Sequence, residues 1–329
     1  MMKRVKKVVA ICLVGISVLV LAGCGKEKSP EGPIRVGAMS GPTAMSMVKL
    51  MKNSEEGAAK GNYSFAELST DSAAYVAGLS NGDMDIASVP SNLAANLYAK
   101  TEGGVVVLAQ CVEGVLQLVE RGDSVATFTD LMGKTIYATG QGAVPEYVIR
   151  YLLKGNGMDA DQDVSLVWCA DTTEALSYVN QAEDAIAILP QPFVTAALAQ
   201  VEDLRVVADL NEEWEKLGTD NGIVTGVIVA RKAFVESYPD AVKTFLEEYQ
   251  ASCEFAVANV EEAAELIAEY GIVPKAPLAK KALPECHIVC RTGSDMKTQV
   301  EGFLQILFEQ NPKAVGGSMP GDDFYYIGK

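Results

Sequence analysis

From Ile34 onward the apolar residues come in short runs separated by polar, glycine-bearing turns, and their spacing alternates between strand-like and helix-like periods. IRVGAM predicts a strand, followed by the turn SGPT and the helical AMSMVKLMKN. YSFAEL predicts a second strand, SAAYVAGLSNG a helix ended by glycine, DIASV a strand, SNLAANLYAK a helix and GVVVLAQ a buried strand. Regular β-α alternation implies an α/β layer with a parallel-rich sheet. Further on, LRVVADL and the amphipathic NEEWEKLG lead into NGIVTGVIVARKAF, a strand-like run able to return the chain to the first unit. Four helical stretches follow, from YPDAVKTFLEEYQASCEFAVANV to SDMKTQVEGFLQILFEQN, with apolar residues at core-forming spacing. The tail GGSMPGDDFYYIGK is loop-rich and aromatic and is expected to pack on a lobe.

The pattern recurs about a hundred positions along the chain. KTIYATGQGAV and PEYVIRYLLKGNG repeat the first strand, Gly/Pro loop and helix, with Pro145 standing where Pro42 stands. GDMDIASVPSNLAANL aligns with AEDAIAILPQPFVTAA, so Ile86, Ala87 and Pro90 match Ile186, Ala187 and Pro190 at a constant offset of 100. Two such matches in the same order argue for two similar α/β units. In open α/β sheets, ligands bind beyond the carboxyl ends of the strands, where helix N-termini present free N–H groups. If the units face each other, SGPT, VPSN, TGQGAV and LPQPF converge on one cleft.

The first residues are of another kind. Lys3, Arg4, Lys6 and Lys7 precede the apolar run Val8 to Leu21, which is too short to span a bilayer, and small residues end in LAGC. This reads as a secretory signal (residues 1–23), and LAGC resembles the lipobox in which a cysteine, here Cys24, is acylated. Residues 24–32, polar and Pro/Gly-bearing, suit a tether. Removing residues 1–23 leaves 306 residues with 23 basic and 43 acidic groups, a net charge of −20. That balance excludes the phosphate-neutralising surface nucleic-acid binding needs.

Chemistry along the chain is sparse. A Walker loop needs a lysine and a hydroxyl after its last glycine, and a dinucleotide fingerprint needs three glycines; TGQGAVPEY has neither. Its glycines allow close backbone approach and Pro145 suits a first helical turn, which fits a ligand loop or a plain strand-to-helix turn equally. With one histidine and no HExxH or GxSxG, the chain offers no obvious base for a nucleophile, and no catalytic residue or cofactor is expected. Beyond Cys12 and Cys24, five cysteines remain, an odd number: Cys111, Cys169, Cys253, Cys286 and Cys290. Cys253 falls on the apolar face of a helix and reads as a small core residue. The cluster CHIVC, with His287, raises a metal question, but no second ligand pair accompanies it and no metal is expected.

The lipobox, IRVGAMSGPTAMSMVKLM, LSNGDMDIASVPSNLAANLY, DLMGKTIYATGQGAVPEYVIRYLL and ILPQPFVTAAL together resemble the substrate-binding lipoproteins of bacterial ABC importers, in the branch that includes nitrate, sulfonate, taurine and thiamine-pyrimidine binding proteins. The resemblance runs from about Ile34 to the C-terminus. It implies an α/β, type II periplasmic-binding-protein fold, with lobe 1 from 33–120 and 224–329 and lobe 2 from 121–223, joined by two crossovers. It further implies a monomer, lipid-anchored through Cys24 on the extracytoplasmic face of the membrane, that closes on a small-molecule solute and hands it to a permease. The cleft residues it implies are Ser40, Gly41, Pro42 and Thr43; Thr70 and Asp71; Ser88, Pro90, Ser91 and Asn92; Gln110 and Glu113; Gly140, Gln141, Gly142, Ala143, Val144 and Pro145; Gln191, Pro192 and Phe193; and Thr225 and Gly226.

The chain departs from that pattern in ways that bear on the solute. Many members carry Ser or Thr after the second glycine of the loop to grip an anion, whereas here Ala143 stands there and Gln141 lies between the glycines. No Lys or Arg lies within the cleft loops, while Asp71 and Glu113 do. A neutral or amino-bearing heterocycle is therefore the better expectation, although a sulfonate or nitrate can rest on helix N-termini alone. Phe193 and Trp168 are either stacking platforms or core aromatics. The alternative is an enzyme like the thiamine-pyrimidine synthases of this fold, which carry a cysteine-rich motif and a reactive histidine; a third reading is a sensor or adhesion lipoprotein. No cysteine run is present, and His287 falls in the late helical region.

Overall fold

The computed structural model describes residues 29–219 and 221–328; the signal segment, Cys24 and the first residues of the tether lie outside them. The first unit runs β1 (Ile34–Gly37), α1 (Pro42–Met45), α2 (Val48–Glu55), β2 (Tyr63–Phe65), α3 (Ser72–Asn81), β3 (Ile86–Pro90), α4 (Ser91–Lys100) and β4 (Val105–Val112). The second runs β5 (Leu116–Arg121), β6 (Thr135–Ala138), α5 (Val144–Gly155), β7 (Ser165–Trp168), α6 (Thr172–Gln181), β8 (Ile186–Pro190), α7 (Phe193–Leu198), β9 (Leu204–Asp209) and α8 (Leu210–Lys216). The chain then returns through β10 (Gly226–Arg231), α9 (Lys232–Ser237), α10 (Pro239–Ala258), α11 (Val260–Glu269), α12 (Ala276–Ala282), β11 (Ile288–Arg291) and α13 (Gly293–Gln310).

Two sheets result, six-stranded in the order β11-β4-β10-β3-β1-β2 and five-stranded in the order β7-β6-β8-β5-β9. The repeat is literal: α3 and β3 are displaced by 100 positions to give α6 and β8. β10, completely buried from Val227 to Ala230, is the central return strand, antiparallel to both β3 and β4. The aromatic tail packs on β4, where Tyr326 N donates to Val107 O at 2.9 Å and Phe324 is fully buried. One expectation is corrected. Residues 116–120, drawn into lobe 1 from the sequence, belong to β5 of the second sheet, so the chain changes lobe at Glu113–Val115.

Each sheet is closed at the end away from these crossovers by a buried carboxylate. Asp85, 5% exposed, accepts from Arg35 N, Nε and Nη2 at 3.0, 2.9 and 2.7 Å and from Arg231 Nη2 at 2.5 Å, tying β1, β3 and β10 together. In the second sheet, fully buried Glu120 accepts from Ser124 N and Oγ at 2.9 and 2.5 Å and from Arg205 Nη2 at 2.5 Å. Burial alone would raise both carboxyl pKa values; the donors outweigh it and hold both below the ordinary range.

At the other end the first crossover is tied to both lobes through Gly114. Its N–H donates to Asn211 Oδ1 at 3.1 Å, and its carbonyl accepts from Asn211 Nδ2 at 2.7 Å and from His287 Nδ1 at 2.6 Å. A Cβ at this position would collide with the Asn211 carboxamide, so only glycine fits. On the return crossover, Thr225 N donates to Val112 O at 3.1 Å, and Ser91 Oγ donates to Val224 O at 2.6 Å. Trp214 of α8, buried, donates through Nε1 to Asn221 O at 2.7 Å and packs between Tyr151 and Phe303 of α13.

Two outcomes are expected. Asp85→Asn keeps the shape and removes the charge, and urea denaturation at neutral pH will show a loss of roughly 2 kcal/mol, below the full cost of breaking a buried pair because Arg35 is partly solvated. Because the folded-state pKa is depressed, that stabilisation is present above the ordinary carboxylate range, about pH 4, and fades as pH falls through the lower folded value, so wild type and variant converge in acid. Gly114→Ala expels the Asn211 side chain, costing about 2 kcal/mol for two hydrogen bonds, and changes the radius of gyration read by small-angle scattering.

Candidate functional site

The ends of the sheets that face each other carry the loops that matter. From the first sheet come Met39, Ser69, Pro90 and the start of β10; from the second come Ala138, Trp168, Pro190 and the start of β5. Between them lies a cavity of about 350 Å³. Ser40, Gly41 and Thr70 line it from the first lobe, and Leu189, Pro192 and Phe193 from the second. Thr172, Thr173 and Leu176 of α6 complete one wall, and Ile272, Val273 and Pro274, between α11 and α12, complete another.

The wall is neutral, with apolar side chains, four hydroxyls and the amide of Gln200. Phe193, at the start of α7, is 46% exposed, an unusual exposure for a large aromatic, and offers its ring to the cavity. Gly41 has φ 113°, a conformation suited to glycine, and open space where a Cβ would stand, so its backbone can be approached closely. An adjoining cavity of about 940 Å³ shares Ala196, Gln200, Pro274 and Leu278 with the first and extends past Lys275 and Lys281, both exposed, to Glu285.

Two helix N-termini near the cleft, those of α3 and α6, are occupied by carboxylates of the chain. Asp71 caps α3, accepting from Ala73 N at 2.9 Å. Asp171 caps α6, accepting from Glu174 N at 2.9 Å, and Glu174 Oε2 accepts from Ala170 N at 2.6 Å. In the turn before α5, on the side away from this cavity, Glu146 Oε2 accepts from Gly142 N at 2.7 Å. Each carboxylate fills the place a bound anion would take.

The residues singled out from the sequence divide into groups. Ser40, Gly41, Thr70, Pro192 and Phe193 line the cavity. Pro42 opens α1, and Thr43, buried beside it, donates to Met39 O at 2.6 Å. Ser88 accepts from Met39 N at 2.9 Å, Pro90 caps α4, and Ser91 holds the return crossover. Gln191 is buried, donating to Gln117 Oε1 at 3.0 Å and accepting from Thr195 Oγ1 at 2.8 Å. Gln110 and Glu113 do not stand free: Arg291 Nη1 reaches them at 3.3 and 2.5 Å. Gly226 is packed against Thr43 and Cys111. Gln141 and Gly142 border a separate recess of about 450 Å³ with Gln310 and Asn311 at the end of α13, and Gly140, Ala143, Val144 and Pro145 form the turn leading from it into α5. Trp168 packs against the interior.

Asn92 is 1% exposed, and neither its Nδ2 nor its Oδ1 has a protein partner; Thr225 Oγ1 is also unpartnered. His287 lies on Gly114, immediately before strand β11, a strand within the region read as helical, while Cys286 packs on Met45 and Cys290 on α10. Among the described residues, no three of His, Cys, Asp and Glu stand close enough to hold a metal ion. The wall formed by Thr172, Thr173 and Leu176 was not anticipated, although the offset of 100 that relates Ile86 to Ile186 also relates Asp71 to Asp171. The 272–274 segment has no such signal.

Comparison with known proteins places this geometry. The family described as NMT1/THI5 like matches residues 67–263. An ABC transporter structure from Parabacteroides distasonis is 26% identical with a TM-score of 0.75, covering 90% of this chain and 99% of that one. The periplasmic aliphatic sulphonate binding protein SsuA of Escherichia coli is 19% identical, TM-score 0.71, covering 88% of this chain and 91% of that one. The alkanesulfonate-binding protein SsuA of Xanthomonas axonopodis pv. citri, bound to MOPS, is 13% identical, TM-score 0.66, covering 89% and 96%. No curated protein matches the sequence significantly.

The unpartnered amide gives a test. Replacing Asn92 by Leu, similar in size, is expected to raise the ligand-free protein's stability by about 1 kcal/mol in chemical denaturation, because a buried unsatisfied amide is removed. A loss instead would show that the amide holds a structural water.

Proposed function

The chain belongs to the NMT1/THI5-like family, and from that premise we propose that it is the solute-binding component of an ABC importer, capturing one small molecule between its lobes and delivering it to a membrane permease. The observation that carries this reading is the shared cavity: Ser40, Gly41 and Thr70 of one lobe and Thr172, Pro192 and Phe193 of the other line the same 350 Å³ space, so a solute there touches both halves and favours closure. The similarity to solved ABC-transporter and sulfonate-binding structures supports it. In this reading the protein works as a monomer on the extracytoplasmic face, held to the membrane by a lipid on Cys24.

The solute is a flat, neutral or amino-bearing molecule, such as a pyrimidine-type heterocycle, rather than a free anion. Phe193 supplies a stacking face, and the hydroxyls of Ser40, Thr70 and Thr172 and the amide of Gln200 supply hydrogen bonds. An anion would meet Asp71 and Asp171 at the helix ends that serve anions elsewhere. The enzymatic alternative finds no support in this cavity, whose lining holds no carboxylate, histidine or cysteine; His287 is committed to the hinge.

Thermal shifts of the purified protein against pyrimidines, amino acids, alkanesulfonates and nitrate test both parts. A bound solute at a hundred times its dissociation constant stabilises by about 2.7 kcal/mol. Phe193→Ala is expected to weaken binding about tenfold, near 1.4 kcal/mol, without altering the ligand-free melt. A response confined to sulfonates or nitrate would sink the neutral-solute reading, and a flat response across the panel would count against solute capture.

A further inference from the structure

Away from the cavity, the interior of the first lobe gathers three thiols around one ring. Cys111 projects from β4, Cys253 from α10 and Cys290 from β11, and Tyr249 of α10 lies among them. β11 pairs with β4 on one side and packs against α10 on the other. Cys253 and Cys290 lie against each other where β11 packs on α10, within one hydrophobic cluster, and the Cys253 thiol donates to Ser46 O at 3.8 Å. Cys253 is 3% exposed and Cys111 fully buried, whereas Cys290 is only half-buried, so Cys290 is the member a solvent-borne reagent reaches first. Both residues of the pair carry free thiols here.

We propose that Cys253 and Cys290 are a redox pair that closes reversibly into a disulfide between α10 and β11, with a small-molecule or protein disulfide as the oxidant. The Cys290 thiolate attacks one sulfur of that disulfide, forming a mixed disulfide and expelling the other half as a thiol that takes up the first proton. The Cys253 sulfur then attacks the Cys290 sulfur, forming the internal bond and releasing the second half with the second proton. Two protein thiols are oxidised by two electrons and one external disulfide is reduced to two thiols. The environment divides these roles. Contact with Cys253 outweighs burial and holds the Cys290 thiol below its ordinary pKa, as an attacking thiol requires, while burial pushes Cys253 well above its own.

The position gives the bond a consequence. β11 follows His287, which donates to Gly114 O, and ends in Arg291, which pairs with Glu113; both partners lie on the first crossover. A cross-link at Cys290 therefore fastens to α10 the strand that grips the hinge. The inference stands on the lobe interior and does not depend on which solute the cavity takes.

The test is to equilibrate the folded, purified protein in mixtures of reduced and oxidised glutathione, trap free thiols by alkylation, and map peptides without reduction. The expected result is a Cys253–Cys290 cross-linked peptide two hydrogens lighter than the sum of its parts, reversed by dithiothreitol, with a melting temperature several degrees above the reduced form. Cys253→Ser should accumulate a glutathione adduct on Cys290, whereas Cys290→Ser should leave Cys253 unmodified. Full alkylation of both residues after unfolding the oxidised sample, or a bond from Cys290 to Cys111, would overturn the proposal; wild-type mapping alone decides this if either variant fails to fold.

Discussion

Gly114 joins the two lobes, and the absence of its side chain is what permits the joint. Both polar groups of its backbone are used by one carboxamide, that of Asn211, and the carbonyl is shared with His287. Asn211 is itself preset, since its N–H donates to Asp209 Oδ1 at 2.7 Å in the first turn of α8. The second lobe thus reaches back to the first crossover through a helix start, while the first lobe reaches the same atom through the residue before β11. These contacts connect positions about 100 and 170 apart in sequence. The facing of the two sheets, and therefore the cavity between them, follows from this short stretch of chain.

Charge is distributed to match. The buried carboxylates, Asp85 and Glu120, stand at the sheet ends away from the cavity with their arginines. At the cavity end, Asp71 and Asp171 take free N–H groups in the first turns of α3 and α6. Capping of this kind is worth about 1 kcal/mol to each helix. It also cancels the positive end of the helix dipole, itself worth typically 0.3–1 kcal/mol to an anion, so an incoming anion gains little and meets a like charge.

The elements most legible in the sequence were those backed by the repeat. DIASVP and AIAILP carry the same strand in both lobes, and Asp171, at the head of the α6 wall, follows from Asp71 by the same offset. What stayed hidden depends on distant partners. β11 is four residues long and is a strand only because it pairs with β4. Glu113 reads as a bare carboxylate in a cleft loop until Arg291, 178 positions away, is placed beside it. The TGQGAV loop has the glycines of a ligand loop, but Glu146 takes its N–H and its outer face meets α13 rather than the cavity, a result of packing that no local pattern expresses.

The repeat also explains why the jaws differ. After the matched strands β3 and β8, the first lobe continues with Ser91 and Asn92 into a ten-residue helix, whereas the second continues through Gln191 and Pro192 into a six-residue helix that begins with Phe193. Gln191 is drawn into the interior by Gln117 and Thr195, so the loop meets the cavity with Pro192 and then an exposed aromatic, Phe193. Opposite it the first lobe offers hydroxyls and the open backbone of Gly41. Two units of one repeated pattern therefore supply unlike surfaces, a π face from one side and hydrogen-bonding edges from the other. The flat solute proposed above would use both at once, which would couple its recognition to the joint at Gly114.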